Sequence, residues 1–281
     1  ATEFGIDKDE VIVRNNGLPT YFASDIAYHR NKFLKRKFDR VINLLGADHH
    51  GHVARMKAAV SAMGIDPNRL DVVLFQLVRL FKNGEAYRMS KRTGRAVSLN
   101  DLIEELGKDG VRSDEEAMLY GKDAARFFFN MKASGSHLDF DMSLAVEKSD
   151  KNPVFYVQYA HARICSIISK AKEQDGVELP DVDSVDLTLL NTKEELALIK
   201  ALAQFPEEIR IAANTLEPSR LTHYVYDVAS CLNAFYHACH IRGEEENIMK
   251  ARLVLIDSTR IVIRNVLSIL SISAPERMDK Q

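Results

Sequence analysis

In residues 1–140 the spacing of apolar residues changes several times between that of a β-strand and that of an α-helix. The short, largely apolar run Val41–Leu45 ends at Gly46, which is typical of a buried parallel strand, and helical spacing follows from His52 to Met63. A second strand is predicted from Asp71 to Leu80. This β-α-β order predicts a parallel sheet with a crossover helix.

Two turn signals interrupt this part of the chain. Asn15-Asn16-Gly17, between the stretches Val11–Arg14 and Thr20–Phe22, predicts a β-hairpin, and Lys82-Asn83-Gly84-Glu85 predicts a turn after the second strand. Further helices are predicted over Asp101–Leu106 and Asp123–Met131.

After Asp150 the spacing becomes helical. Three stretches carry mostly apolar residues at helical intervals: Val154, Val157, His161, Ile164 and Ile168; Val225, Val228, Leu232, Phe235 and Cys239; and Leu255, Thr259, Val262, Val266 and Ile269. Long amphipathic helices of this kind form a bundle. We therefore predict a mainly α protein with a small α/β part, divided into residues 1–151 and 152–281, with a loop over Gln174–Leu187.

Composition places the chain among ordinary globular proteins. Its 281 residues are 46% hydrophobic and 28% charged, with a formal net charge of -2, so the overall charge does not indicate a nucleic-acid partner, although local basic patches remain compatible with it. Cys165, Cys231 and Cys239 lie in apolar helical patterns, which favours a reducing compartment without disulfides. No apolar run reaches the length of a membrane span, and we expect a cytoplasmic protein.

A basic loop is the first candidate for chemistry. Arg88, Lys91, Arg92 and Arg95 lie within eight residues, after a predicted strand pair and before a helix. Cations on such a loop can close over a triphosphate and neutralise the charge that develops on a leaving pyrophosphate. A solvated turn is an equally favoured interpretation of these residues alone.

A histidine-rich turn is the second candidate. His49-His50-Gly51-His52 follows a strand and begins a helix, and helix N-terminal N–H groups and imidazoles both favour phosphate. A metal site is much less favoured, because no cysteine or second histidine cluster completes a tetrahedral set, and we predict none. A polar turn with one functional histidine stays open.

Two further features could bind a cation or RNA. Tyr21 and Asp25 are one helical turn apart, and a carboxylate beside a phenol suits a guanidinium, although an Asp25 N-cap beside a core Tyr21 is favoured from the residues alone. The basic stretch His29–Arg40, with Phe33 and Phe38 interleaved, could contact a nucleic-acid backbone, but an amphipathic surface helix is favoured.

Aromatic residues mark a possible RNA face on the predicted bundle. Tyr156, Tyr159 and Arg163 share one helix face at i, i+3 and i+7, and Tyr236 and His240 form a second pair at i, i+4. Aromatic rings beside a cation suit stacking of unpaired RNA bases. Aromatic core packing is favoured for any one of these residues taken singly.

Five segments in this order resemble the arginyl-tRNA synthetases of the bacterial type, which are class I enzymes. The resemblance runs from about residue 4 to residue 278. The segments are Tyr21-Phe22-Ala23-Ser24-Asp25-Ile26-Ala27-Tyr28-His29, Gly46-Ala47-Asp48-His49-His50-Gly51-His52, Met89-Ser90-Lys91-Arg92-Thr93-Gly94, Tyr156-Val157-Gln158-Tyr159-Ala160-His161-Ala162-Arg163 and Ala274-Pro275-Glu276-Arg277-Met278.

The resemblance implies a fold and an activity. Residues 1–151 would be the C-terminal half of a Rossmann-type catalytic domain, and residues 152–281 an anticodon-binding helical domain. The activity would be ATP-dependent activation of arginine and its transfer to tRNA(Arg), with Mg²⁺, in a monomer that has no membrane partner.

The resemblance also assigns residues to substrates. Lys91 would be the catalytic cation that stabilises pyrophosphate as it leaves, and ATP would be bound by Met89, Ser90, Lys91, Arg92 and His52. Arginine would be bound by Tyr21, Asp25 and His49, the last standing near a glutamine of the family. The anticodon contacts would be Tyr156, Tyr159, Arg163, Tyr236, His240 and Met278.

One departure limits the expected activity. The first class I signature, H-I-G-H, belongs far upstream in the family, whereas His49-His50-Gly51-His52 lies only about 40 residues before the basic loop. We therefore expect the C-terminal half of the enzyme, unable to charge tRNA alone. Two alternatives are a non-catalytic tRNA-binding module and a nucleotidyltransferase that uses these histidines, which needs a larger strand and helix set before residue 40.

Overall fold

The chain forms two compact units. The computed structural model describes residues 2–87, 97–108 and 113–278. The first unit comprises Ala1–Leu77 with Ser134–His137, and the second Val78–Ala133 with Leu138–Gln281. The domain boundary predicted at residue 151 concerns regions of the sequence, and it stays a prediction. The compact units divide elsewhere because side chains from Leu102 onward share one apolar core with the C-terminal helices.

The first unit contains a β-α-β motif, as the apolar pattern predicted. Helix α1 spans Tyr21–Arg30, strand β1 Val41–Gly46, helix α2 His50–Ala62 and strand β2 Leu70–Phe75. The two strands are parallel, with Val41 opposite Leu70. Leu44 is 65% exposed while Val41 packs with Met56 and Leu70, so the strand is parallel as predicted but the predicted burial is wrong for one of its two faces.

The predicted N-terminal hairpin is reduced to a single bridge. Val13 pairs with Pro19, and Gly17 supplies the left-handed turn at φ 78°. Thr20 then accepts a hydrogen bond at Oγ1 from the Ala23 amide (3.3 Å), which caps α1. The predicted strand Thr20–Phe22 is therefore wrong, because a threonine N-cap satisfies a helix end, and proline cannot donate to a strand ladder.

The predicted strand Asp71–Leu80 is two strands in separate sheets. The first strand ends at Phe75, and a new strand, β3, spans Val78–Lys82. It pairs in parallel with a segment remote in sequence, in which Leu138 lies opposite Val78. Strand β4 is Glu85–Ala86 and strand β5 is Leu138–Asp141. The turn at Asn83-Gly84 is as predicted, with φ of 54° and 79°.

The basic stretch is not one continuous surface helix. Helix α1 ends at Arg30 and a π-helical turn, Asn31–Lys35, follows. Phe33 is buried in the core of the first unit, and Lys37 adopts a left-handed φ of 58°. The favoured amphipathic-helix interpretation of His29–Arg40 therefore holds only for its first part.

Helices dominate the second unit, in agreement with the predicted bundle. They are α3 (Leu99–Gly107), α4 (Asp114–Phe129), α5 (Met142–Val146), α6 (Pro153–Asp175), α7 (Lys193–Ala203), α8 (Phe205–Thr215), α9 (Ser219–Ala238) and α10 (Glu246–Ile269). Asn152 caps α6 ahead of Pro153, which suits the first helical position. Short 3₁₀ turns at Val182–Ser184 and Leu187–Leu189 interrupt the loop that follows α6.

The cysteines and the helix lengths give two further facts about the chain. The three cysteines carry free thiols, and Cys239 follows the end of α9 instead of lying within a helix. Within the described ranges, no helix is both long enough and apolar enough to cross a bilayer.

Helices α3 and α4 pack through glycines at very close range. A Cβ on Gly121 would overlap the carbonyl oxygen of Ile103, and a Cβ on Gly107 would overlap that of Ala117. Neither glycine has a left-handed φ, so the requirement is for space and not for an unusual backbone conformation.

We expect Gly121→Ala to destabilise the protein by roughly 1–3 kcal/mol, because backbone oxygen cannot move aside as a flexible side chain can. Chemical denaturation followed by circular dichroism measures this free energy. Met118→Ala on the exposed side of the same helix is the control, with a much smaller expected effect. Equal stability of Gly121→Ala and the parent chain would contradict the close packing.

Candidate functional site

The predicted phosphate-handling loop has defined flanks. The β3–β4 hairpin ends at Ala86 and α3 begins at Leu99, so a strand pair precedes the loop and a helix follows it, as predicted. The predicted ATP-binding residues Met89, Ser90, Lys91 and Arg92, like Arg88 and Arg95, lie outside the described residues.

Asp25 and His52 meet between α1 and α2. The Oδ2 atom of Asp25 lies 3.1 Å from Nε2 of His52. The imidazole also makes an edge-to-face contact with Phe22, with ring centroids 5.8 Å apart. The sequence assigned these two residues to different ligands, arginine and ATP, and the structure brings them into contact. His49 lies in a 3₁₀ turn and contacts Asp48 at 3.8 Å.

Tyr21 and Asp25 belong to one helix, as predicted. Tyr21 is the first residue of α1 and is 86% exposed, whereas Thr20 is the N-cap. The interpretation of Asp25 as an N-cap beside a core tyrosine is therefore wrong. Residues four apart on a helix share a face, so a ligand at Asp25 can also reach Tyr21. No group of three described histidine, cysteine or acidic side chains forms a metal-binding cluster.

Arg163 lies between two tyrosine rings. Its guanidinium carbon is 4.9 Å from the ring centroid of Tyr159 and 5.1 Å from that of Tyr236. Its Nη1 donates to Oδ1 of Asn233 at 2.9 Å. Tyr159 in turn stacks on Phe155, with centroids 5.8 Å apart and ring planes 10° apart. Three of the predicted RNA-binding residues therefore form one preorganised group.

These three residues line an open cavity of about 640 Å³. Met278 also lines it, so a fourth predicted residue joins the group. The remaining walls mix charges and include Lys170, Glu173, Glu276 and Arg277. A polar, open cavity of this size can accept an unstacked nucleotide, which a flat aromatic core surface could not.

Tyr156 lies on a neighbouring part of the same surface. Its ring packs on Tyr226 at a centroid distance of 5.0 Å, and it lines a small cleft with Tyr159, Arg163 and Asn233. Sequence reasoning missed Tyr226 and Asn233. Asn233 lies one helical turn before Tyr236, so helical spacing on α9 could have revealed it.

His240 does not extend the α9 face. Helix α9 ends at Ala238, and Cys239 is extended with ψ 115°, so the predicted i, i+4 pairing of Tyr236 with His240 is wrong. The His240 carbonyl instead accepts a hydrogen bond from Arg252. Arg252 Nε also donates to the buried Glu195 at 2.7 Å. Burial alone would raise the pKa of Glu195, but hydrogen bonds from Thr192 and Arg252 outweigh it and lower that pKa.

Comparisons with protein families divide the chain into two regions. Residues 1–124 match the family described as tRNA synthetases class I (R), catalytic domain, and residues 157–278 match the DALR anticodon binding domain. The Asp25–His52 contact lies in the first region, and the cavity beside Arg163 lies in the second. The fold and these matches define part of a class I aminoacyl-tRNA synthetase.

Individual relatives show which class I synthetases this chain is similar to. The arginine–tRNA ligase of Acetivibrio thermocellus is 66% identical over 278 residues, covering 99% of this chain and 47% of the relative. The arginine–tRNA ligase of Ruminiclostridium cellulolyticum is 64% identical, covering 98% of this chain and 46% of that relative. The Thermus thermophilus arginyl-tRNA synthetase structure superposes with a TM-score of 0.79 at 26% identity, covering 98% of this chain and 52% of that one.

Over almost its whole length the chain is therefore similar to arginyl-tRNA synthetases. It spans about half the length of the curated relatives it matches.

Proposed function

We propose that this chain carries the anticodon-recognising face and part of the arginine-activating site of an arginine–tRNA ligase. The observation that carries the proposal is the Tyr159–Arg163–Tyr236 group at an open cavity of 640 Å³, within the region that matches an anticodon-binding family. RNA recognition of unpaired bases depends on aromatic stacking and on cations.

The chemistry of the cavity suits an anticodon loop. Tyr236 is 42% exposed, so part of its side chain is accessible to a base, while Asn233 holds the Arg163 guanidinium in place before RNA arrives. Such preorganisation reduces the entropy lost on binding. Lys170 and Arg277 can contact phosphates at the same cavity. Tyr156, His240 and Met278 are the remaining proposed contacts, carried over from the family resemblance.

The proposed reaction joins arginine to tRNA in two steps. The arginine carboxylate attacks the α-phosphate of ATP and displaces pyrophosphate, which gives arginyl-adenylate. A ribose hydroxyl at the 3′ end of tRNA(Arg) then attacks the arginyl carbonyl carbon and displaces AMP. Lys91 would stabilise the charge on pyrophosphate, with Met89, Ser90, Arg92 and His52 as the other proposed ATP contacts. The described residues bring no carboxylate cluster together as Mg²⁺ ligands, so we assign that ion no step.

Asp25 is the proposed anchor for the arginine side chain. Its carboxyl group is about half exposed and pairs with His52 through one oxygen, Oδ2. A guanidinium can bind a carboxylate through two parallel hydrogen bonds, and Tyr21 on the same helix face can supply a third contact. His49 would complete the proposed pocket.

Two alternative functions differ in their support. A tRNA-binding module without catalysis is supported by the match of residues 157–278 to the DALR anticodon binding domain. A complete nucleotidyltransferase centred on His49-His50-Gly51-His52 would need a mononucleotide fold before residue 40. The described residues 2–40 contain one α-helix, short helical turns and a single β-bridge, so that fold is not formed there.

We expect Arg163→Gln to weaken binding of an RNA anticodon stem-loop of tRNA(Arg) by about tenfold, because a stacked cation at the cavity is lost. Fluorescence anisotropy with labelled RNA measures the affinity. Arg210→Gln on α8 removes the same charge from an exposed arginine paired with Glu207, and it should leave the affinity within about twofold. Equal losses of RNA affinity in both variants would show that binding depends only on the net charge of the chain.

We expect Asp25→Asn to raise the KM for arginine by about tenfold or more in tRNA arginylation, because the bidentate charged acceptor is lost. The assay uses a chain of the relatives' full length that contains these residues, and the 281-residue chain should not arginylate tRNA. Asp39→Asn, at an exposed aspartate, is the matched control. An unchanged KM in Asp25→Asn would contradict the pocket, and arginylation by the 281-residue chain would contradict the division of activity.

A further inference from the structure

Residues 271–278, here the C-terminal segment, end at the RNA cavity. Glu276, Arg277 and Met278 line it together with residues of α6 and α9. The segment is neither helix nor strand, so no ladder of backbone hydrogen bonds fixes its path. Its position must come from contacts with other parts of the second unit.

The segment begins with a tight reversal after α10. Ser271 adopts a left-handed φ of 57°, and the Ile272 amide donates to the Leu267 carbonyl at 2.8 Å, which closes a Schellman motif. Arg126 on α4 donates through Nε to the Leu270 carbonyl at 2.7 Å. The start of the segment is thus fixed against α4.

Asp123, one turn earlier on α4, holds the next part of the segment. It is 2% exposed, and its Oδ2 accepts hydrogen bonds from the Ser273 amide at 3.1 Å and from the Ser273 hydroxyl. The same oxygen accepts from Gln158 Nε2 at 3.0 Å. Gln158 also donates to the Ser273 carbonyl at 2.9 Å, so both backbone polar groups of Ser273 are held.

Helix α6 adds a second buried contact two residues later. His161 Nδ1 donates to the Pro275 carbonyl at 2.9 Å, and the imidazole is buried. Gln158 and His161 thus face the C-terminal segment, while Tyr159 and Arg163 of the same helix face the cavity. The segment is fixed just before Glu276, where it reaches the cavity.

We propose that Asp123 is a positioning residue for RNA recognition, which sets the affinity for the anticodon loop by fixing the C-terminal segment without touching RNA. The proposal rests on the proposed anticodon-binding function. Asp123 lies at the end of the region that matches the catalytic family, whereas Ser273 lies in the anticodon-binding region. The segment that reaches the RNA cavity is therefore anchored on a helix of the catalytic region.

The contacts with Ser273 and Gln158 require one hydrogen-bond acceptor atom on the side chain of residue 123. Removing the Asp123 carboxylate leaves the Ser273 amide without a partner and costs Gln158 one of its acceptors, and an unpartnered buried donor is unfavourable. The other oxygen, Oδ1, accepts no hydrogen bond from the described residues. An asparagine can therefore place its oxygen toward Ser273 and its amide in the position of Oδ1.

The test compares Asp123→Ala with Asp123→Asn in the 281-residue chain, using the same RNA anticodon stem-loop. We expect Asp123→Ala to weaken binding by about tenfold and Asp123→Asn to stay within about threefold of the parent. Both variants are then repeated in a Met278→Ala background. If Asp123 acts through the segment, its replacement should have little further effect there, because coupled residues are non-additive.

Each outcome has a defined meaning. No binding by the parent chain would overturn the proposed function itself. Binding by the parent with unchanged affinity in Asp123→Ala would overturn the positioning role alone. The same tenfold loss with and without Met278 would also overturn it, because it would indicate a general structural effect. Should Asp123→Ala not fold, Gln158→Leu takes its place in the same cycle, with the same expected non-additivity.

Discussion

The second unit depends on the two-sided character of helix α6. One side buries Val154, Val157 and Ile164 in the core, and this burial fixes the rotation of a helix that spans 23 residues. The rotation then determines where every other side chain of α6 lies. Tyr159 and Arg163 reach the cavity because the apolar side chains cannot leave the core.

The same rotation organises the polar contacts of the bundle. Gln158 and His161 are buried polar side chains, and burial without partners would be unfavourable. They are paired with the backbone around Ser273 and Pro275. Burial lowers the pKa of His161 despite its hydrogen bond to Pro275, which favours the neutral imidazole in this contact. Helix α6 therefore carries both the proposed RNA-binding side chains and the contacts that hold the C-terminal segment, which also lines the cavity.

Local sequence signals predicted the parts of this arrangement that depend on local geometry. Tyr156, Tyr159 and Arg163 were placed on one face because helical periodicity is fixed by the backbone. The pairing of Tyr236 with His240 failed because α9 stops at Ala238, where no glycine or proline marks the end. The strand break after Phe75 was missed because the partner of Val78 is Leu138, which is remote in sequence.

Long-range partners account for the other omissions. Asp123 and Ser273 are 150 positions apart, and neither residue lies in a motif that indicates their contact. The overall charge of -2 was equally uninformative, because the cavity mixes cations with Glu173 and Glu276. The proposed recognition of RNA combines aromatic surface with locally placed cations, which the net charge of the whole chain does not report. The resemblance to a family supplied what spacing could not, namely the identity of the proposed ligands.

Photo-crosslinking tests the central claim most directly. An anticodon stem-loop with 5-bromouridine in its loop would be irradiated with the chain, and the modified peptides would be mapped by mass spectrometry. The account predicts crosslinks to Tyr159, Tyr236 or the segment 271–278, which surround the cavity. Crosslinks confined to the basic stretch 29–40 would contradict it, because RNA would then bind the first unit instead of the cavity beside α6.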